Sequence, residues 1–324
     1  MNISTSHNAQ KNHLWLIGTG YMALEYTKVL NFLKKKYNVI GRSKNSCDKF
    51  FNETNINPIR GGLLSALNNY EIPKQVIVSV SVENLFECTY ELLNRGVKEI
   101  LLEKPGGLNI NEIKILKDLE IKNNARLYIA YNRRFYTSVI KLLELLANDK
   151  PIKSLNFEFT EFGHKLKNDN SIKKNVLNKW LYANSSHVID LAFFLMGKPK
   201  KNQSSFYTSG YSIWHKPIRF HGSGISINNV QYSYKADWES QGRWGIEVLT
   251  NNYKYILQPL EELHYIKKGE FIKQKIYLKK TIEDNFKPGL LNQCEAFFSE
   301  DSSSLCNISE QYEHFEFYQK ISGY

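Results

Sequence analysis

The residues best suited to chemistry sit in three places. Glu103-Lys104-Pro105 closes the apolar run Ile100 to Leu102. A short apolar run bounded by Pro and Gly reads as a buried strand. In an open α/β sheet, ligands bind beyond the carboxyl ends of the strands. A lysine there can hydrogen-bond a substrate oxygen and move its proton; the plainer alternative is a solvated lysine opening a surface loop. The second place is Trp180 to Gly197, a helical pattern in which Leu191, Phe194 and Leu195 would pack. Asn184 or Ser185 could cap it and Gly197 end it. His187 and Asp190 lie three apart, on neighbouring faces of one turn. Helical histidines are more often structural than catalytic.

The third place is Gly18-Thr19-Gly20-Tyr21-Met22-Ala23, a G-x-G-x-x-A between an apolar strand and a helix. Gly18 permits the tight turn, Gly20 lets backbone approach a pyrophosphate, and Ala23 allows close helix–strand packing. The helix start at Tyr21 and Met22 offers N–H groups to the anion. Ser79, at the end of the strand that begins at Gln75, is a further cofactor candidate. An NAD site wants Asp or Glu after the second strand. This chain has Gly41-Arg42-Ser43-Lys44 instead. Arg42 can grip a 2′-phosphate through its planar fork, with Ser43 and Lys44 assisting. NADP(H) is therefore expected over NAD(H); in the alternative, Arg42 stacks on adenine and both cofactors are accepted.

The elements that must position these residues alternate through the first half. Strands at "LWLIGTG", "YNVIGRS", "QVIVSVSV", "VKEILLEKP" and "RLYIAYNRRF" are separated by helical patterns. Such alternation implies a doubly wound parallel sheet with helices on both faces. From about Pro151 strands follow one another with little helix between, as in "IKSLNFEFTEFG" and "WGIEVLTNN". That implies a mainly antiparallel sheet. The expected organisation is α/β plus α+β, with a dinucleotide-binding domain over 1–130 and a substrate and oligomerisation domain over 131–324. Tyr232, Tyr234, Trp238 and Trp244 are more aromatics than a solvated sheet face needs, so a homo-oligomer is expected.

Composition fits a globular protein: 324 residues, 42% hydrophobic and 13% aromatic. The net charge of +11 is spread along the chain, so it favours phosphate-bearing ligands rather than nucleic acid. Cys47, Cys88, Cys294 and Cys306 have no metal or redox spacing; no metal site is expected. The N-terminal "MNISTSHNAQKNH" lacks a signal peptide's apolar region, and no apolar stretch reaches membrane-spanning length. A cytoplasmic protein is expected.

The glycine motif, Glu103-Lys104-Pro105, Asn132-Arg133-Arg134-Phe135 and His187-Val188-Ile189-Asp190 occur in one order, spanning Leu14 to Gly197. That order resembles the glucose–fructose oxidoreductase / inositol dehydrogenase (Gfo/Idh/MocA) family. The resemblance implies an N-terminal Rossmann domain, a C-terminal domain with a large open sheet, and pairing of subunits as dimer or tetramer. It implies that Lys104 lies beside the nicotinamide and the reacting carbon, often before a cis proline, and that His187 is an acid/base. Glu103 joins the cofactor contacts, and Asn132, Arg133 and Asn184 the substrate contacts. The implied reaction interconverts a secondary alcohol and a ketone on a sugar; the excess positive charge, which could serve a diphosphate, makes a nucleotide-activated sugar an attractive substrate. Where the family often has Asp, four residues before the histidine, this chain has Ala183. That departure keeps two alternatives open: reduction of a non-sugar acceptor, and a dinucleotide-binding sensor without turnover.

Overall fold

A computed structural model describes residues 14–169 and 171–324. The N-terminal stretch read above for a signal peptide lies outside the described residues. The chain forms two compact units. The first holds residues up to Glu103 together with Ile115–Tyr128; the second holds Lys104–Lys114 and Ile129–Tyr324. Where the sequence places one boundary after residue 130, the chain passes between units at 103/104, 114/115 and 128/129.

The first unit is built on strands β1 (Leu14–Ile17), β2 (Asn38–Ile40), β3 (Gln75–Val78), β4 (Glu99–Leu102) and β5 (Arg126–Ile129), in the sheet order β5-β4-β3-β1-β2. Pairing of β1 with β2 and β3, and of β3 with β4, is parallel. Helices α1 (Tyr21–Phe32), α2 (Lys44–Thr54), α3 (Gly62–Asn69), α4 (Leu85–Asn94) and α5 (Ile110–Lys122) supply the crossovers. The central strands β1, β3 and β4 are short, largely Leu, Ile and Val runs buried on both faces, as helix-covered parallel strands must be. In α1, Ala23, Tyr26, Val29 and Leu30 recur at helical spacing and are fully buried. Ser43 caps α2, its Oγ accepting from Ser46 N at 3.2 Å.

The second unit carries an eight-stranded sheet in the order β13-β12-β11-β10-β6-β9-β8-β7. Its strands are β6 (Ser154–Glu158), β7 (Pro199–Ser209), β8 (Arg219–Ser226), β9 (Gln231–Asp237), β10 (Gly245–Leu249), β11 (Tyr253–Leu257), β12 (Leu263–Lys267) and β13 (Gln274–Ile276). Among the described residues, β6 and β9 alone pair in parallel in this sheet; its other pairs are antiparallel. Around it lie α6 (Thr137–Asn148), the short α7 (Gly163–Leu166) and α8 (Lys174–Leu177), α9 (Ser186–Met196), α10 (Leu290–Phe298) and α11 (Ile308–Ser322). The helix expected from Trp180 is not uniform. Leu181–Ser185 form a wider π-type turn, and α9 begins only at Ser186.

The sheet aromatics correct one expectation. Tyr232, Tyr234 and Trp238 are buried within this chain, at 1–4% exposure. Tyr234 stacks on Phe157 at 5.3 Å and Trp238 on Trp214 at 5.4 Å. They face the covered side of the sheet and so are not a docking surface. Period-2 alternation separates two faces but does not say which is covered.

A buried ion pair ties the second unit's helices together. Arg134 Nε and Nη2 donate to Asp190 Oδ2 and Oδ1 at 2.8 and 2.6 Å, and Nη2 also donates to Glu310 Oε1 at 2.8 Å. Arg134 and Asp190 side chains are each 1% exposed. Burial opposes ionisation of Asp190, but the Arg134 guanidinium outweighs it and holds the carboxyl below its usual range. Asp190 thus belongs to the scaffold that orients α9. Cys306 and His314 lie close to it, yet both carboxylate oxygens already accept from a fixed cation, which opposes binding a second one. Among the described residues, no helix is long and apolar enough to cross a membrane.

Candidate active site

The first unit contains a cavity of about 690 Å³ at the carboxyl ends of β1, β2 and β3. Gly18, Gly20, Arg42, Ser43 and Ser79 all line it. Gly18 has φ +119°, and a Cβ there would lie 2.5 Å from Ser79 O; only glycine tolerates both. Around the Cβ position of Gly20 nothing lies within 4 Å, leaving room for a ligand. Helix α1 starts at this point with no side-chain cap and no acid in its first turn. An uncapped helix N-terminus beside open space suits an anion. Leu64 and Tyr90 also line the cavity and are 57% and 38% exposed, offering flat apolar surface for a base. These residues fit a dinucleotide.

The remaining cofactor candidates are placed differently. Arg42 runs beside Gly62, where an added Cβ would touch its Cγ at 3.5 Å. Lys44, Tyr21 and Met22 do not line the cavity; Tyr21 is 64% exposed. Ser79 Oγ donates to Ile17 O at 3.1 Å, so it splints β1 to β3. Glu103 accepts from the Tyr26 hydroxyl at 2.9 Å, fastening the end of β4 to α1. No carboxylate follows β2, but Glu87 and Glu91 of α4 enter the cavity wall; sequence reading about the strand end does not reveal them.

In the second unit, Lys104 Nζ donates to Ala183 O at 2.6 Å. The Lys104–Pro105 peptide is cis, and Pro105 O accepts from the buried Gln311 Nε2 at 2.8 Å. Gln311 also donates to the Tyr131 hydroxyl at 3.0 Å, so α11 fixes the backbone beside the lysine. Tyr131 meets the His187 ring edge-on at 5.8 Å, and Trp244 tilts against it at 6.1 Å. His187 is 5% exposed, and its Nδ1 has no hydrogen-bond partner among the described residues. Burial first, then the positive charges of Arg133, Lys104 and Lys287, push its pKa well below the ordinary value. The imidazole is neutral at pH 7.

Glu161 went unnoticed in the sequence. It follows β6, is 8% exposed, and lines a cavity of about 220 Å³ with Arg133, Phe162, Arg243 and Trp244. Its carboxylate accepts from Asn184 Nδ2 at 3.0 and 3.1 Å and from Ser185 Oγ at 2.6 Å. Burial raises its pKa to about 7, against the pull of those donors and of Lys104. Asn184 therefore holds Glu161. Consecutive residues of the π-type turn thus serve Lys104 (Ala183 O) and Glu161 (Asn184, Ser185); such turns recur at functional sites. A signal was present: Leu155, Phe157 and Phe159 alternate inward, and Glu161 continues their parity.

The two other substrate candidates part company. Arg133 faces the cavity, stacked 4.9 Å over the Trp244 ring. Asn132 is buried and donates to Pro288 O at 2.8 Å, so it packs the turn rather than lining the cavity.

Comparison with known proteins agrees with this architecture. Residues 13–131 match the Gfo/Idh/MocA family model, described as an oxidoreductase family with an NAD-binding Rossmann fold. No curated protein matches the chain in sequence. Similar solved structures include UDP-N-acetylglucosamine 3-dehydrogenase GnnA from Acidithiobacillus ferrooxidans (14% identity, 95% of each chain, TM-score 0.73). Levoglucosan dehydrogenase in complex with NADH is another (14% identity, 95% of each chain, TM-score 0.76). An NAD-binding oxidoreductase from Klebsiella pneumoniae is a third (11% identity, 96% of this chain and 95% of that one, TM-score 0.77). At these identities the likeness is one of fold.

Proposed function

With residues 13–131 belonging to the NAD-binding Rossmann family of Gfo/Idh/MocA oxidoreductases, we propose that the protein is an NADP(H)-dependent oxidoreductase. It interconverts a secondary alcohol and a ketone on a sugar. The observation that carries this reading is the 2.6 Å bond from Lys104 to Ala183 O. It holds the E-K-P lysine against the turn that opens the His187 helix, so the lysine and a neutral imidazole serve one site.

Gly18, Gly20 and the start of α1 would hold the pyrophosphate, and Arg42 with Ser43 the 2′-phosphate. Bound cofactor supplies or accepts a hydride. Lys104 donates to the reacting oxygen, polarises it, and passes on the hydroxyl proton in the oxidative direction. His187, uncharged at pH 7, orients a neighbouring hydroxyl and can accept its proton. Arg133 and Arg243 give one wall of the 220 Å³ cavity a positive face beside Trp244 and Phe162. That wall favours a sugar bearing an anionic group, such as a nucleotide-activated sugar. The same wall argues against an apolar acceptor.

The test is fluorescence of NADPH during a screen of sugars, keto-sugars and their nucleotide-activated forms. Turnover on at least one, with anionic sugars preferred, is expected. NADPH binding without turnover on any class would favour the sensor alternative and defeat this reading.

A further inference from the structure

Ala183 removes the carboxylate that would sit one helical turn before His187, yet a carboxylate is present from another element. Glu161 is nearly buried and lines the small cavity. Burying a carboxylate costs several kcal/mol, on the order of what only good pairing repays. Its hydrogen-bond partners are an amide and a hydroxyl, from Asn184 and Ser185, uncharged donors that do not neutralise it. Asp190, which belongs to the scaffold, is by contrast placed against the Arg134 guanidinium. The charged groups around Glu161 are Lys104, at electrostatic range, and Arg133, Arg243 and Glu261 on the cavity walls.

We propose that Glu161 is the proton acceptor of this site, exchanging with Lys104 the proton that the substrate hydroxyl gives up. The inference rests on the oxidoreductase reading. In the oxidative direction the substrate O–H bond breaks and its electron pair forms the carbonyl π bond. The carbon's hydride goes to the oxidised dinucleotide. The Lys104 ammonium gives one proton to a Glu161 oxygen, which becomes the neutral acid, and takes the hydroxyl proton in its place. Reduction returns it by the same route, and nothing else is consumed. Ser185 and Asn184 are positioning residues: their donors fix the carboxylate that must lose and regain a proton.

Two measurements test this. In the first, the protein without cofactor or substrate is labelled with ¹³C-glutamate and its carboxyl resonances titrated, Glu161 being assigned from its loss in Glu161→Gln. A midpoint near 7 that moves upward in Lys104→Met is expected. A midpoint at the ordinary glutamate value of about 4.3, unmoved by Lys104→Met, would overturn the proposal. In the second, Glu161→Gln should lower kcat by about 10²-fold or more and erase the inflection near pH 7, with the Kd for NADPH unchanged. Glu161→Asp should keep the inflection at reduced rate. Wild-type kcat and pH profile in Glu161→Gln would also overturn it. The titration needs no turnover, so a chain that oxidises no sugar counts against the oxidoreductase reading, while an ordinary Glu161 counts against this proposal alone.

Discussion

Asp190→Ala is the substitution whose cost can be worked from the structure. Asp190 supplies two short bonds to Arg134, at 2.6 and 2.8 Å, in surroundings where both side chains are 1% exposed. Removing one partner of a buried pair costs about 3–5 kcal/mol, because the other charge is left uncompensated. Here Glu310 remains 2.8 Å from Arg134 and is 30% exposed, so part of the charge stays neutralised. The expected loss lies near the lower end, about 3 kcal/mol, or roughly two decades in the folding constant. Four of the five tryptophans, Trp180, Trp214, Trp238 and Trp244, lie in the second unit, so urea unfolding followed by their fluorescence reads that unit. The pair also sets a pH dependence. The folded pKa of Asp190 is lowered, so its stabilisation is fully present above the unfolded value of about 3.9 and is lost as pH falls through the folded value. Asp190→Ala should therefore lose less stability than wild type as pH falls through that window. Replacing both partners together, as Arg134→Met with Asp190→Leu, should recover much of the loss. A loss under about 1 kcal/mol for Asp190→Ala, the size of an exposed pair, would refute the assignment of Asp190 to the scaffold.

Arg42→Ala should cost NADPH affinity roughly tenfold or more, from a charge-assisted contact of about 1.5–3 kcal/mol, and leave NADH affinity nearly unchanged; equal Kd values for the two cofactors in the wild type would exclude a 2′-phosphate grip. The pH dependence of kcat/KM in the oxidative direction should show an inflection below about 6.5 for His187, with activity falling as pH drops through it, since burial and positive neighbours lower its pKa. His187→Asn should remove that inflection and most of the rate; a profile unchanged in His187→Asn would make it a packing residue. Light scattering should return a homo-oligomer, dimer or tetramer, because Phe271, Ile272 and Tyr277 around the edge strand β13 are 73–97% exposed; a monomer mass at micromolar concentration would contradict this.

What the sequence made legible follows from how local each signal is. Gly18 to Ala23 and Lys104-Pro105 declare themselves because a tight turn and a strand end constrain residue type over a few positions. The alternation of elements sufficed for the two sheets. Partners across the fold were not legible. Spacing puts Asp190 three residues from His187 and says no more; its side chain pairs with Arg134, across 56 residues, and approaches His314 of α11. Glu161 belongs to no motif, and its parity with Phe157 and Phe159 mattered only once that face was known to be covered. The same ambiguity misdirected Tyr232, Tyr234 and Trp238. Asn184 sat one residue from the expected acid position, and the π-type turn gave it a different task.

The central claim is that Lys104 belongs to the chemistry rather than to the surface. The direct measurement is kcat, together with the Kd for NADPH and the urea midpoint, for Lys104→Met. The account predicts a fall in kcat of about 10²–10⁴ with affinity and stability little changed, since the lysine's bond to Ala183 O leaves the nucleotide cavity untouched. Near-wild-type kcat in Lys104→Met would contradict it.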